Sequence, residues 1–241
     1  MSQRFHSEIR GKMHQGLSKA GRACLLGLGI VSLLHFFAQI TAPDRLMSQM
    51  TQVLLVPWMI AFVLVSVPRK RSRSIVLTVT VLLCSWMGDT VPRFLEGDAG
   101  FLAMVGCFLI AQIFYIALLL RWAGSSVLTR PLWLIPYAAV FLALVAFCAG
   151  GAGALLVPII VYGLALVSMA VLSTGLGVVG GLGGAVFLLS DSLIALRSFT
   201  DVEIYLGGLW IMLTYVVGQL LLVIGIVNKD RDEQFLAGSE Q

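Results

Sequence analysis

The chain has 241 residues, of which 59% are hydrophobic and only 12% charged, about half the usual charged share of roughly 25%. A soluble protein could not keep so apolar a surface in water, so a soluble enzyme, a nucleic-acid-binding domain and a disulfide-stapled secreted module are excluded. The net charge of +4 is of the kind that sets orientation in a membrane rather than one that binds nucleic acid.

Only helices and closed barrels satisfy their backbone in lipid, and barrel strands alternate in polarity over about 10 residues. Here the apolar runs are long and continuous, which predicts an all-α bundle with about 20 residues per span. After a basic tail at 1–22, the stretches 23–43 and 46–68 contain no Asp, Glu, Lys or Arg. They predict helices at 23–41 and 50–67. The first run also has the look of a signal-peptide core, with Ala42 as a poor cleavage site, but its length favours an uncleaved helix. Between Arg73 and Asp89 lie only 15 uncharged residues, so a third helix, 74–92, must take Asp89 into the membrane. The fourth is predicted at 101–121. Between Arg130 and Asp191 lie 60 uncharged residues, room for three spans. Glycine-rich breaks at Ala149–Gly153 and Ser173–Gly177 divide them into 132–149, 154–173 and 178–197, the last including Asp191. An eighth helix at 204–227 leaves a tail at 228–241.

The expected architecture is therefore a polytopic transmembrane helix bundle with eight spans over 23–227. Loop charges orient it. With the N-terminus inside, the cytoplasmic segments hold Arg4, Arg10, Lys12, Lys19, Arg22, Arg69, Lys70, Arg71, Arg73, Arg121, Arg130, Lys229 and Arg231, leaving Arg45, Arg93 and Arg197 outside. This is a strong positive-inside signal and predicts both termini in the cytoplasm. Cys24, Cys84, Cys107 and Cys148 sit singly in apolar runs, as small buried residues do.

A carboxyl group inside a span costs at least about 2.5–3.5 kcal/mol and marks a functional site by default. There are two, Asp89 and Asp191, both on helices predicted to run from inside to outside and at similar depth. Arg93 follows Asp89 by four residues and Ser85 precedes it by four, on the same helical face. Arg197 follows Asp191 by six. One reading is that each acid merely pairs with its own arginine; matched depth on two helices favours a shared site. Other polar residues could line that site: Ser32, His35 and Gln39 on the first helix, Gln112 and Tyr115 on the fourth, Tyr162 on the sixth, and Tyr215 and Gln219 on the eighth. Taken singly, each could just as well hydrogen-bond a neighbouring helix. His35 is the only histidine within the spans, so a metal site lacks ligands. Gly175–Gly180 matches GxGxxG, but no strand precedes it. Small residues for close helix approach, as in Gly177/Gly181 and Gly180/Gly184, explain it better.

These residues resemble a known family. Ser85-Trp-Met-Gly-Asp89 is similar to the S-x-x-G-D motif of the YhhN-like lysoplasmalogenase family. Phe94-Leu-Glu-Gly97, Phe101 and Gln112-Ile-Phe-Tyr115 resemble its F-L-x-G…F…H-x-x-Y segment, with Gln112 standing where the family usually has His. Val161-Tyr162-Gly163, the Gly184–Ser192 stretch with Ser190-Asp191-Ser192, and Trp210…Tyr215…Gln219 resemble further family segments. The resemblance covers about residues 50–227. It implies an eight-helix hydrolase that splits a lysophospholipid, lysoplasmalogen, into a fatty aldehyde and glycerophosphoethanolamine or glycerophosphocholine. Asp89 and Asp191 would be its acids, with Ser85, Ser190, Gln112, Tyr115, Tyr162, Tyr215, Gln219, Arg93, Arg197 and His35 as substrate-binding or supporting residues. The chemistry agrees with an acid pair. A vinyl ether hydrolyses by protonation at carbon to an oxocarbenium ion, which needs one neutral acid and benefits from one carboxylate, as in glycosidases. No metal or organic cofactor is required, and the partners expected are the lysolipid and the bilayer. Hydrolysis of another lysolipid is the nearest alternative. A transporter using the Asp pair is a further one, although helices 1–4 and 5–8 show no clear inverted repeat. The expected location is a bacterial cytoplasmic (inner) membrane.

Overall fold

The protein, seen here as a computed structural model, is described over residues 18–42, 46–67 and 72–239. The predicted tail up to residue 17, Arg45 and the basic cluster Arg69–Arg71 lie outside the described residues. Among the described residues, eight long α-helices follow one another: α1 (Lys19–Thr41), α2 (Leu46–Ser66), α3 (Arg73–Thr90), α4 (Gly97–Leu119), α5 (Ile135–Ala152), α6 (Leu156–Ser173), α7 (Val178–Phe199) and α8 (Gly207–Ser239). Short 3₁₀ turns join several of them, and no strand occurs among the described residues. Among the described residues, seven helical segments are long and apolar enough to cross a membrane, so the protein is a multi-pass integral membrane protein. One of the seven is the 46-residue stretch Pro131–Leu176. It is not straight: Gly153, at φ +50°, ends α5, and Phe141 of α5 packs beside Gly163 of α6.

Helix limits follow local chemistry. The Ser18 hydroxyl caps α1 by accepting from the Gly21 N–H, and Ser72 caps α3 by accepting from Ile75. Gly177, at φ +89°, separates α6 from α7; this left-handed backbone is why glycine stands there. The third helix does not continue regularly to residue 92. It ends at Thr90 and tightens into a 3₁₀ turn, Val91–Phe94, around Pro92. The eighth begins at Gly207 rather than 204 and runs without a break to Ser239, so residues 228–239 prolong α8.

α8 is the central helix, packed on α7 and touching α1, α2 and α3. α5 lies at the edge against α6 and α7, and only Cys148 and Ala152 of it are buried. The α7–α8 contact is backbone on backbone. A Cβ on Gly183 would sit 2.6 Å from the Leu222 nitrogen, and one on Gly218 would sit 2.6 Å from the Phe187 nitrogen. Gly180 meets Gly225 in the same seam, while Gly184 faces Ser173 and Ala170 of α6. The glycine pattern thus serves close packing, but the α7 glycines that face α8 are Gly180 and Gly183, opposite Gly225 and Gly218; Gly177 is a turn residue.

Pro57 interrupts α2. Having no N–H, it leaves the Val53 carbonyl without its helical donor. The Trp86 indole of α3 supplies one, Nε1 donating to Val53 O at 2.9 Å, which fixes α2 against α3. At the end of the bundle away from the acids, Arg121 pairs with Glu233 at 2.7 Å, the Trp122 indole donates to Glu233 at 2.5 Å, and Ser72 donates to Asp230 at 2.7 Å. These bonds fasten the prolonged α8 to the start of α3 and the end of α4.

Replacing Gly183 by valine should push α7 from α8 and cost about 1–3 kcal/mol, the usual range for overpacking. Gly29 faces open space, so Gly29→Ala should leave thermal unfolding in detergent unchanged or slightly raised. Equal melting temperatures for Gly183→Val and the parent chain would contradict the packing argument.

Candidate functional site

Asp89 lies one residue from the end of α3, and Asp191 lies eight before the end of α7. Both line a single cavity of about 320 Å³ whose walls also include Gln52, Met104, Phe108, Ser190, Arg197, Ile211, Met212 and Tyr215. Asp191 in addition borders two small apolar cavities, both shared with Tyr162.

Each acid is held by a tyrosine. The Tyr215 hydroxyl of α8 donates to Asp89 Oδ2 at 2.8 Å. The Tyr162 hydroxyl of α6 donates to Asp191 Oδ2. The Tyr215 ring is itself fixed edge-on between Phe108 and Phe187, with centroids 6.0 and 5.7 Å away. One turn further into the bundle, Gln219 of α8 donates to Ser85 of α3 at 3.2 Å and accepts from the Tyr115 hydroxyl at 3.0 Å. Because Ser85 precedes Asp89 by four residues and Gln219 follows Tyr215 by four, α3 and α8 are joined by two polar rungs on facing sides.

The arginines do not form the simple pairs that proximity in sequence allows. Arg93 donates from Nε to the backbone carbonyl of Asp89 at 3.0 Å and from Nη2 to Gln52 Oε1 at 2.7 Å. The Gln52 amide nitrogen donates in turn to Asp89 Oδ1 at 3.2 Å. The cation thus reaches the carboxyl through a neutral amide. Arg197 makes no ion pair with Asp191; the one salt bridge among the described residues is Arg121–Glu233. Ser190 lines the cavity and donates to the Ile211 carbonyl at 3.0 Å, tying α7 to α8.

Of the residues singled out from sequence, Asp89, Asp191, Ser190, Arg197 and Tyr215 line the cavity. Tyr162 and Arg93 reach it through hydrogen bonds. Ser85, Tyr115 and Gln219 stand beneath it. Gln112 is fully buried, beside the Tyr162 hydroxyl that holds Asp191. His35 is elsewhere: its Nδ1 lies 2.9 Å from Thr51 Oγ1, and Gln39 approaches its Nε2 at 3.4 Å and donates to Ser48 at 3.2 Å. It belongs to a polar seam between α1 and α2, and Ser32, buried on the same face, does not line the cavity either. Gln52 is the residue that sequence reasoning passed over. Its signal was a glutamine one turn after Ser48, in the short polar stretch Ser48–Gln52 that opens an otherwise apolar helix. Among the described residues, no group of three or more His, Cys, Asp or Glu gathers in a way that could hold a metal ion.

A helical membrane protein with two hydrogen-bonded acids from separate helices in one cavity is the class that fold and site define. The chain belongs to the YhhN family, whose sequence profile matches residues 47–226, from the start of α2 to within α8. No curated protein and no solved structure matches it.

Gln52→Leu should leave Asp89 Oδ1 and Arg93 Nη2 each without a partner. The expected loss is about 1–3 kcal/mol of stability, the usual penalty for buried polar groups left unpaired. Thermal unfolding of the purified variant in detergent measures it, and an unchanged melting temperature would remove Gln52 from the network.

Proposed function

We propose that the protein hydrolyses the vinyl-ether bond of a lysoplasmalogen, with Asp89 and Asp191 as an acid pair. One observation carries the reading: carboxyl groups from two different helices meet in one cavity of about 320 Å³ within an apolar bundle. Buried acids are costly in a membrane and mark functional sites, and neither of these has an arginine as a direct ion-pair partner. Membership of the YhhN family is consistent with a hydrolase.

The chemistry follows from the donors. Asp191 receives one side-chain hydrogen bond, from Tyr162, and suits the neutral acid that gives its proton to the vinyl carbon remote from oxygen. The double bond becomes a C–H bond, and positive charge moves onto the ether oxygen and its attached carbon. Asp89 receives two hydrogen bonds, from Tyr215 and Gln52, with Arg93 behind the latter. Such donors favour the charged form of a carboxyl, so Asp89 suits the carboxylate that faces the oxocarbenium ion. Water adds to the cationic carbon and gives up a proton to a carboxylate, leaving a hemiacetal. Collapse breaks the carbon–oxygen bond, releasing the fatty aldehyde and the glycerophospho-alcohol. One water is consumed, and no metal or organic cofactor enters.

Asn is nearly isosteric with Asp but can neither give a carboxylic proton nor carry the charge. Asp89→Asn and Asp191→Asn should each lower turnover by at least about 10²-fold, the low end for a general acid–base group. The double variant should be little worse than the poorer single one, and all should stay folded. Aldehyde release from a purified lysolipid panel is the measurement, with melting temperature alongside. Well-folded Asn variants with full activity would end the hypothesis, and fatty-acid release without aldehyde would replace it with ester hydrolysis.

The same reading puts eight spans in the cytoplasmic membrane, with both termini inside. The stretch Pro131–Leu176 has 46 residues, about 69 Å if straight at 1.5 Å per residue, far more than the roughly 30 Å hydrocarbon core. Its fold at Gly153 lets both arms cross. In a variant lacking the four native cysteines, Ala154→Cys should react with an impermeant thiol reagent added outside intact cells, and Ser239→Cys should not. The opposite pattern would reverse the orientation.

A further inference from the structure

The cavity is polarised. Its inner part carries the two acids, each occupied by a tyrosine. Its rim carries Arg197, in the last turn of α7, exposed and yet part of the cavity lining. Arg93, the other arginine nearby, is committed to the Asp89 carbonyl and to Gln52. Arg197 has neither an ion pair nor a hydrogen bond to any described residue. Counter-charge for the acids is therefore not its role in this arrangement. A guanidinium presents a planar fork of donors that matches the oxygens of a phosphate. Beside it, Ser198 also lines the cavity and offers a hydroxyl.

We infer that Arg197 is the phosphate anchor of this site, holding the phosphate ester of a lysophospholipid head group at the rim while the bond to be cleaved lies between the acids. The inference rests on the acid-pair reading and adds the part of the substrate that reading leaves unassigned. The spacing fits. Six residues of α-helix separate Asp191 from Arg197, about 9 Å along the axis at 1.5 Å per residue; the five bonds from ether oxygen to phosphorus cover part of that rise, and the arginine side chain bending back covers the rest. The polarity also fixes direction: head group at the rim, hydrocarbon chain past Asp191 towards the apolar cavities bounded by Met104, Ile159 and Leu188. The lipid would thus enter chain first, and a neutral lipid lacking phosphate would lose its anchor but keep its chain contacts.

The test compares two substrates of equal chain length, a 1-alkenyl-glycerophosphoethanolamine and the phosphate-free 1-alkenylglycerol, on the full chain in detergent. For Arg197→Gln, the preference for the phosphate-bearing substrate should fall about 10- to 100-fold, the range of a lost charged hydrogen bond, and should fall through KM rather than kcat. Arg197→Lys should recover part of it. A readout that needs no turnover is the rise in melting temperature of the Asp89→Asn/Asp191→Asn chain with each of two saturated ligands, a lysophosphatidylethanolamine and a monoacylglycerol. The phospholipid should stabilise more, and adding Arg197→Gln should erase the difference. A preference unchanged by Arg197→Gln, or a KM raised equally for both substrates, overturns the inference. So does inorganic phosphate competing as well as the lysophospholipid, which would make the rim a site for free phosphate. If the parent chain releases aldehyde from neither substrate, the acid-pair reading fails, and the melting comparison still decides the role of Arg197.

Discussion

The site depends on the contact between α7 and α8. Two helices with ordinary side chains at their interface stand 8–10 Å apart; glycine lets them come closer. With Gly183 and Gly218 at the seam, backbone meets backbone. This closeness sets the register. It lays Phe187 against the Tyr215 ring and Ser190 against the Ile211 carbonyl. Tyr215 is then held where its hydroxyl meets Asp89 on a third helix. Asp191, two turns beyond Gly183 on the same helix, shares the resulting cavity.

Around that seam, the bundle solves a problem set by its own composition. An interior so apolar gives a polar side chain few partners, and each one left unpaired costs about 1–3 kcal/mol. The polar residues therefore occur in matched sets across helices: Asp89 with Tyr215 and Gln52, Ser85 with Gln219 and Tyr115, Asp191 with Tyr162, and His35 with Thr51. Gln112 is fully buried beside the Tyr162 hydroxyl, on the helix that also contributes Phe108 to the cavity wall, whereas the buried Ser32 hydroxyl has no partner.

What could be read in the sequence and what could not divides along physical lines. Helices follow from charge-free length, so all eight were legible, and the glycines at 153 and 177 marked real breaks because both take positive φ. The two acids were legible because a carboxyl group in an apolar run needs a reason. Partners were less so. Tyr215 and Gln219 could be listed but not assigned to Asp89 and Ser85, since 126 and 134 residues separate the pairs. Arg93 looked like a direct partner for Asp89, and only the fold shows Gln52 between them. The polarity of His35 points to the site, whereas the packing of α1 on α2 takes it to Thr51. The end of α8 is not legible in the sequence, because charge after residue 228 reads as a tail, while Asp230 and Glu233 find partners on other elements that keep the helix going.

Pro57 and Trp86 carry a consequence for how the chain is built. In the finished bundle the Val53 carbonyl is satisfied by an indole from the next helix. During synthesis α2 reaches the bilayer before α3 exists, and an unpaired backbone group in lipid costs several kcal/mol. α2 alone is thus incomplete as a membrane span. It gains its missing donor only when α3 arrives beside it, so the two helices are stable in lipid as a hairpin rather than in sequence. One proline thereby couples the helix that bears Gln52 to the helix that bears Asp89: the backbone of the first is completed by a side chain of the second.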